Sequence, residues 1–263
     1  MLKSLKRAVG GMPVVGPAIK KAYLTLFTAE GRVRTIRKGL LEGVQYRHYR
    51  WSTPREDLVE SNWDDLLQTA FTAEIKGKRR FFDVGANWGF YVLLAGKYRD
   101  KGCEVVAFEP HPQSAAELKT QVELNGMAGD TRVVQAAVSD TVGTIEFADT
   151  GSAIGQMIAS VDRDGIGQRM LKVPTMTLDG AAEQFGMPDL VKLDVEGAEN
   201  LVMAGATKVF TEGRPTLLVE IHGEERSGPF YDFMAKFDYR CFGADGAEIT
   251  DRAYHHHMIC RPA

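Results

Sequence analysis

Three groups of acidic residues carry the chemistry open to this chain. The first is Asp83, at the end of the apolar run Phe81–Val84, followed by the turn Gly85-Ala86-Asn87-Trp88-Gly89. The second is Glu109, which closes another apolar run, Val105–Phe108, twenty residues past Gly89. The third is spread over two runs: Asp194, Glu196 and Glu199 follow Val191–Leu193, while Glu220 and His222 end the run that starts at Leu217. A glycine turn between strand and helix lets a ligand approach the backbone and aims amide N–H groups at it. An acid closing the next strand suits the two hydroxyls of a ribose. The first two groups therefore describe a pocket for a nucleoside-bearing cofactor.

The spacing narrows the cofactor. A nicotinamide turn wants G-x-G-x-x-G. Here three residues separate Gly85 from Gly89, and Asp83 stands where it would oppose a pyrophosphate. An aspartate there suits a ligand with an amino group and a sulfonium. S-adenosylmethionine (SAM) has both, together with the ribose that Glu109 would bind. Methyl transfer from SAM is an in-line displacement at an activated methyl, so the protein mainly aligns the acceptor oxygen and removes its proton.

The third group offers residues for that task, because open α/β sheets bind ligands at the carboxyl ends of their strands. His222 is the expected general base, since an unperturbed imidazole titrates near neutral pH. Its bland alternative is a structural histidine at a strand end. Asp194 is expected at the methionine end of the cofactor. Glu196 serves either catalysis and the acceptor or the dipole of the helix that starts after Gly197. Glu199 reads as a capping acid. Glu220 lies inside a strand pattern and needs a partner or a site, because a lone buried carboxylate is costly. Asp194, Glu196 and Glu220 are also hard oxygen donors of the kind Mg²⁺ takes, so a divalent metal is a second route, ranked below metal-free base catalysis. The run His255-His256-His257 does not read as a metal site, because adjacent strand residues alternate faces and do not converge on one ion. His111 reads as a turn residue near the ribose site, and His48 has no partner visible in sequence.

Alternating runs position these groups. Strands are expected at 80–84, 104–108, 131–138, 190–195 and 216–221, with helices near 90–99, 114–125, 179–185 and 198–210. Pro112, Ser114 and Glu117 look like a capping box for the second helix. The pattern implies a parallel sheet with helices on both faces, an α/β doubly wound fold. Near the end, a helix at about 230–237 leads to Tyr239–Phe242 and a strand at 257–261, expected as an antiparallel hairpin at one sheet edge. Thr144–Ala148 reads as a short strand, and the glycine-rich stretch 149–170 as a loop long enough to cover a site.

A wider series sharpens this. Asp83-Val-Gly-Ala-Asn-Trp-Gly-Phe-Tyr91, Phe108-Glu-Pro110, Asn125, Ala137-Val-Ser-Asp140 with Gly143, Thr177-Leu-Asp179, Val191-Lys-Leu-Asp-Val-Glu-Gly-Ala-Glu199 and Leu218-Val-Glu-Ile-His222 follow in one order. Over about residues 80–222 the chain resembles the FkbM family of SAM-dependent methyltransferases, and the Asp-Val-Glu-Gly-x-Glu element is the most specific part. The resemblance implies a seven-stranded, mostly parallel Rossmann-like sheet and O-methylation of a hydroxyl on a sugar or glycan, a glycolipid or a small natural product. It implies a cofactor site of Asp83, Gly85, Asn87, Gly89, Tyr91, Glu109, Pro110, Val138, Asp140 and Asp194, with His222, Asp194, Glu196 and Glu220 as catalytic residues. The methyltransferase domain is expected at 80–263, with an acceptor-side region and basic extension at 1–79.

Composition bounds the alternatives. The 263 residues carry ordinary apolar and charged fractions, and no run approaches the ~18 apolar residues of a membrane span. Three cysteines, Cys103, Cys241 and Cys260, lack metal-type spacing and fit a reducing compartment, hence a cytoplasmic protein. Net charge is −3, yet residues 1–40 carry +8 against −11 for the rest. Such an arm suits docking to phosphates, and Met12–Phe27 mixes apolar residues with Lys20 and Lys21 as a membrane-surface segment does. The blander expectation is an arm packed on its own domain or on a second copy of the chain. Gly10, Gly11, Pro13, Gly16 and Pro17 argue against a signal peptide. Tyr46, Tyr49 and Trp51, among Arg47, His48 and Arg50, suit sugar faces or anions, or form a partly buried edge. Base amino-methylation is disfavoured because Asp194-Val-Glu-Gly replaces the usual D/N-P-P-Y element, and no Pro-Cys nucleophile is present, so nucleic acid is not the expected substrate. RNA methylation, a non-catalytic SAM-binding scaffold and a nicotinamide oxidoreductase are the competing readings.

Overall fold

The structure, a computed structural model, describes residues 31, 33–47, 65–149, 156–157 and 169–263. Its centre is a seven-stranded sheet. The parallel strands are β3 (Arg80–Val84), β4 (Glu104–Phe108), β5 (Thr131–Val134), β10 (Leu190–Leu193) and β11 (Thr216–Glu220). β12 (Tyr239–Phe242) and β13 (His257–Pro262) form the expected antiparallel edge hairpin, with β13 inserted beside β11. The order across the sheet is β12-β13-β11-β10-β3-β4-β5. Cys241 and Cys260 pair across the edge hairpin, their buried Sγ atoms 2.7 Å apart, a contact that their spacing in sequence conceals.

Side-chain alternation divides the core in two, as the period of a strand requires. Phe81, Val105, Ala107, Leu190 and Leu218 face α1 (Asp65–Glu74), α2 (Phe90–Tyr98) and α3 (Pro112–Leu124). Phe82, Val84, Phe108, Val191 and Val219 face α4 (Leu178–Phe185), α5 (Glu199–Ala204) and α6 (Ser227–Lys236). The fold is therefore doubly wound, with both sheet faces covered. Among the described residues no helix is long and apolar enough to cross a membrane.

Four expectations change. The strand expected at 131–138 ends at Val134, and Ala137–Val138 forms β6, which pairs with β9 (Arg169–Met176) instead. β9 also pairs antiparallel with β7 (Gly143–Asp149), which pairs with β8 (Gln156–Met157). The short strand expected at Thr144–Ala148 is present as β7, and it belongs to a second, four-stranded sheet whose β8 and first residues of β9 fall in the stretch expected to be a loop; residues 150–155 and 158–168 lie outside the described residues. The helix expected at 198–210 breaks at Gly205, where an added Cβ would lie 2.3 Å from the Ser139 backbone oxygen; the close approach of two backbones ends α5 there. α3 begins at Pro112 rather than at a Ser114 box: His111 is its N-cap, accepting from Ser114 N–H, and Pro112 takes the first position, where no N–H is needed.

The division at residue 79 is not a packing boundary. Phe71 and Ile75 of α1 are fully buried beside Phe81, and Ile36, Leu41 and Tyr46 join the same cluster. The hairpin of β1 (Val33–Thr35) and β2 (Gln45–Arg47) bonds to the last turns of α2 and α3 through Tyr98, Gln121 and Asn125. Those turns lie at the end of the sheet away from the strands' carboxyl ends, so this part of 1–79 braces the fold rather than the acceptor side. The Met12–Phe27 segment, His48, Tyr49, Arg50 and Trp51 lie outside the described residues.

Candidate active site

Two groups of acids stand at the carboxyl ends of the parallel strands. On the β3–β4 side the chain turns sharply after Val84: Gly85 and Ala86 N–H both donate to Phe108 O at 3.0 Å. Gly85 has φ +83°, and an added Cβ would lie 1.7 Å from the Asp194 carbonyl oxygen, so only glycine fits where this turn meets β10. Asn87 also lies in the left-handed region, at φ +50°. Its N–H donates to Glu109 Oε2, and His111 N–H donates to Glu109 Oε1, both at 2.8 Å. Burial outweighs these two bonds and pushes the Glu109 carboxyl up to about 7. Asp83 is 1% exposed, and neither of its carboxylate oxygens has a hydrogen-bond partner among the described residues; burial pushes it up to about 6, against the pull of Lys192. The Asn87 side-chain oxygen is likewise buried without a partner. Buried acceptors left open in this way await donors from a ligand.

On the β10–β11 side most of the groups contact one another, although Glu199 Oε2 is buried without a partner among the described residues. Lys192 pairs with Asp83 in register on the α2 face of the sheet, is buried, and donates to Asp194 Oδ2 at 2.8 Å with its Nζ 4.9 Å from the Tyr91 ring centre. Burial opposes its charge, but the carboxylates of Asp194 and Asp83 outweigh this and hold its pKa above the usual value. After Leu193 the chain bends through Glu196 (φ +53°) and Gly197 (φ +102°) into α5. That bend returns Glu196 toward β11, where His222 stands. His222 Nε2 lies 3.3 Å from Glu220 Oε1, 3.5 Å from Glu196 Oε2 and 3.8 Å from Asp194 Oδ1. Its Nδ1 lies 3.0 Å from Oε1 of the fully buried Glu199, which also accepts from Gly197 N–H. Arg226 donates to both Gly197 O and His222 O, tying the bend to the end of β11.

This crowd of carboxylates changes the state of the ring. Burial works against an imidazolium, but the bonds to Glu199 and Glu220 and the charges of Glu196 and Asp194 prevail and raise His222 to about 10. The ring is then positively charged at neutral pH and holds the proton that a general base would have to accept. Glu196 moves the other way: burial raises its carboxyl pKa despite His222, with Asp194 and Glu220 adding to the rise. Glu220 is the opposite again; burial opposes its charge, but His222, His257 and Lys192 hold it well below the usual carboxylate range.

The histidine run also departs from expectation. His256 Nε2 lies 2.9 Å, and His257 Nε2 3.4 Å, from the two oxygens of Glu220. Alternation fails here because β13 starts only at His257, and His256 sits in the bend before it. Next to His257 opens a cleft of about 380 Å³ of mixed lining, with Leu66 and Ile249 beside Asp245, Glu248, Asp251 and His255.

Compared with known proteins, residues 83–241 match the Methyltransferase FkbM domain. The chain belongs to the FkbM methyltransferase family. A methyltransferase FkbM from Methylobacillus flagellatus KT superposes with a TM-score of 0.50 at 16% identity, over 71% of this chain and 44% of that one. This chain thus spans less than half the length of that protein, and the likeness establishes the fold. An O-methyltransferase from Bacillus cereus in complex with SAH aligns at a TM-score of 0.42 and 12% identity, over 75% of this chain and 79% of that one. A precorrin-6y C5,15-methyltransferase from Geobacter metallireducens GS-15 aligns at 0.45 and 8% identity, over 82% and 91%. No curated protein matches in sequence.

The FkbM-type series divides by position. Asp83, Gly85, Asn87, Tyr91, Glu109, Asp194, Glu196, Glu220 and His222 all stand at the strand ends just described, with Gly89 as the residue before α2 and Pro110 between Glu109 and the cap of α3. Val138 is buried in the core with Val84 and Phe108. Asp140 is exposed and accepts from Ser139 and Thr141 hydroxyls; no hydrogen bond or ion pair among the described residues ties it to Asp83, Glu109 or Asp194. Asn125 ties α3 to β2, and Asp179 caps the segment after α5 by accepting from Lys208 and Val209 N–H. Lys192 escaped the sequence reading, while His256 and His257, read there as not converging, meet on Glu220. A lysine between two fully apolar strand positions, two residues before Asp194 and so on its face, was the available signal for Lys192.

Proposed function

We propose that this FkbM methyltransferase is SAM-dependent and transfers a methyl group to a hydroxyl of a sugar or glycan, a glycolipid or a small natural product. The observation that carries the reading is the adjacency of two unlike acid groups. Open, buried acceptors at Asp83 and Asn87, beside the buried Glu109 carboxyl, stand next to β10 and the charged cluster around His222.

The residues fit the cofactor. Glu109 suits ribose hydroxyls and Asp83 an ammonium group, while Gly85 and Gly89 keep the turn close to the ligand. SAM supplies an activated methyl group. The chain's own part is to orient the acceptor and take its proton. In this reading His222, positively charged, polarises the acceptor oxygen, and Glu196, a carboxylate of raised pKa on the same cluster, takes the proton. The base thus moves from His222, the sequence expectation, to Glu196, because the ring already holds a proton. Asp194 is fixed by Lys192 and Glu220 by three imidazoles, which leaves Glu196 with the freest carboxylate. The cleft beside His257, rich in oxygen acceptors, suits a hydroxyl-bearing molecule.

Radiolabelled-methyl transfer from SAM into glycan, lipid-linked sugar, small-molecule and RNA pools tests this. Label in a hydroxylated pool, lost in Glu196→Gln with SAM affinity kept, supports the reading. Label only in RNA, or SAM binding without transfer to any pool, removes it.

A further inference from the structure

We propose that Glu220, His222 and His256 form a binding site for a divalent transition ion of the zinc type. The site shares Glu220 and His222 with the proposed acceptor cluster, where a bound ion would take over the charge that the ring proton supplies, but the case for the ion does not depend on that reading. It also differs from the Asp194–Glu196–Glu220 magnesium set expected from sequence, because two of its three ligands are imidazoles.

The donor spacing supports the ion. Glu220 Oε1 lies 2.9 Å from His256 Nε2 and 3.3 Å from His222 Nε2, and all three donor atoms lie within 4.8 Å of one another. Tetrahedral ligands about 2.0–2.2 Å from a zinc-type ion stand about 3.3–3.6 Å apart, so the Glu220–His222 separation already matches a filled site and the Glu220–His256 pair has to open by only about 0.4 Å.

The outer contacts provide a second, independent argument. A metal-binding histidine characteristically donates its other ring N–H to a carboxylate or carbonyl, which fixes the tautomer. Here His222 Nδ1 faces Glu199 Oε1 at 3.0 Å, and His256 Nδ1 faces the Ile221 carbonyl oxygen at 3.0 Å. Both of those oxygens only accept, so both Nδ1 atoms carry hydrogen. The two Nε2 positions are thereby directed at the Glu220 carboxylate, which also only accepts. Positive charge is required between these three atoms. Protons on the rings supply it in the ion-free chain; a divalent ion replaces them and bonds to all three.

Asp194 is the poorer candidate ligand, because its Oδ2 already holds the buried Lys192 ammonium, a charge that repels a cation. Imidazole ligands favour zinc-type ions over magnesium. The exposed His256 side chain leaves a path of entry and room to adjust.

Full-length protein stripped with a chelator and desalted, then titrated with Zn²⁺ by calorimetry, tests the site. The expected result is one ion per chain, with His256→Ala, Glu220→Gln and His222→Ala each weakening binding by at least about tenfold. His255→Ala should bind as tightly as the wild type, and a large excess of Mg²⁺ should not compete. Zn²⁺ should raise the Tm of the wild type and not that of His256→Ala, whose unliganded Tm shows that the variant folds. Absence of one-to-one binding overturns the proposal. So does binding kept in Glu220→Gln but lost in His255→Ala, which would mark chelation by the bare histidine run. SAM titrated into the same stripped protein separates the two readings: loss of SAM binding strikes the methyltransferase reading and leaves the ion site standing.

Discussion

At the ends of β3 and β4, Asp83 and Glu109 are buried, their carboxyl pKa values pushed up to about 6 and about 7, and both Asp83 oxygens lack partners among the described residues. At the ends of the neighbouring strands β10 and β11, the four carboxylates of Asp194, Glu196, Glu199 and Glu220 share two basic groups, His222 and Lys192. The first region leaves both Asp83 oxygens and the Asn87 oxygen open to a ligand; in the second, most carboxylates face His222 or Lys192, and only Glu199 Oε2 is left buried without a partner among the described residues. A buried acceptor costs free energy until it is satisfied, so the first region is built to gain on binding. Charges held in a fixed mutual geometry cost nothing to reorganise during a reaction, which is what a catalytic cluster needs. In the proposed reading, the cleft thus separates holding a cofactor from acting on an acceptor.

The separation predicts variants that affect one region and spare the other, except at the joint between them. Gly85→Ala strikes that joint. Its Cβ would meet the Asp194 carbonyl oxygen at 1.7 Å from a backbone at φ +83°, so strain and displacement of β10 are unavoidable. The expected cost is at least about 3 kcal/mol of stability with loss of both SAM binding and turnover, read by urea melts and calorimetry. Retained turnover would mean that the two regions are not mechanically joined there. Glu196→Gln affects only the acceptor side: turnover should fall by about 10²–10⁴, while SAM affinity stays within about twofold. An equal fall in SAM affinity would merge the two regions.

Glu109→Gln affects only the cofactor side, and its signature is a pH dependence. Burial makes folded Glu109 hold its proton up to about 7, while the unfolded chain releases it near the ordinary carboxylate value of 4.5. The folded state therefore binds the proton more tightly. The ligand-free wild type is favoured below about 4.5 and loses stability as pH rises to about 7, after which the loss is constant. The glutamine variant, with no proton to release, has no such loss. Thermal melts without ligand should show Glu109→Gln gaining on the wild type between those two values, while calorimetry shows SAM binding about tenfold weaker. Parallel melting curves at every pH would show that Glu109 is not strained by burial.

The sequence disclosed the cofactor side more fully than the acceptor side, for a physical reason. Asp83, Gly85 and Glu109 lie at strand ends and a turn, where local pattern fixes position: Phe81–Val84 and Val105–Phe108 alternate between the two core clusters as expected. The seven-stranded sheet and its edge hairpin follow from the same alternation. The acceptor side is assembled by contacts between distant segments. His256 meets Glu220 only because the chain bends before β13, and Glu199 reaches His222 only through the left-handed turn at Glu196 and Gly197. Neither bend has a periodic signature. The second sheet was hidden likewise, since β7 and β9 join by backbone bonds across residues 150–168, whose sequence carries no clear period. Asn125 and Asp179, members of the FkbM series, hold β2 and the segment after α5 in place.

The smallest expected effect tests how the bend beneath His222 is held. Glu199 is fully buried and accepts from both Gly197 N–H and His222 Nδ1 through one oxygen. Removing it leaves two donors stranded, so Glu199→Ala should cost about 2–3 kcal/mol. A glutamine side chain at this position keeps an oxygen that accepts from the same donors, so Glu199→Gln should cost less than about 1 kcal/mol and restore most of the turnover. A mere cap of the bend would show stability rescued by glutamine and turnover equal in both variants. A positioning residue for His222 predicts instead that kcat falls in Glu199→Ala more than its lost stability explains and recovers with glutamine, while KM for SAM does not move in either. The split between kcat and KM therefore decides whether the bond beneath His222 belongs to the fold or to the reaction.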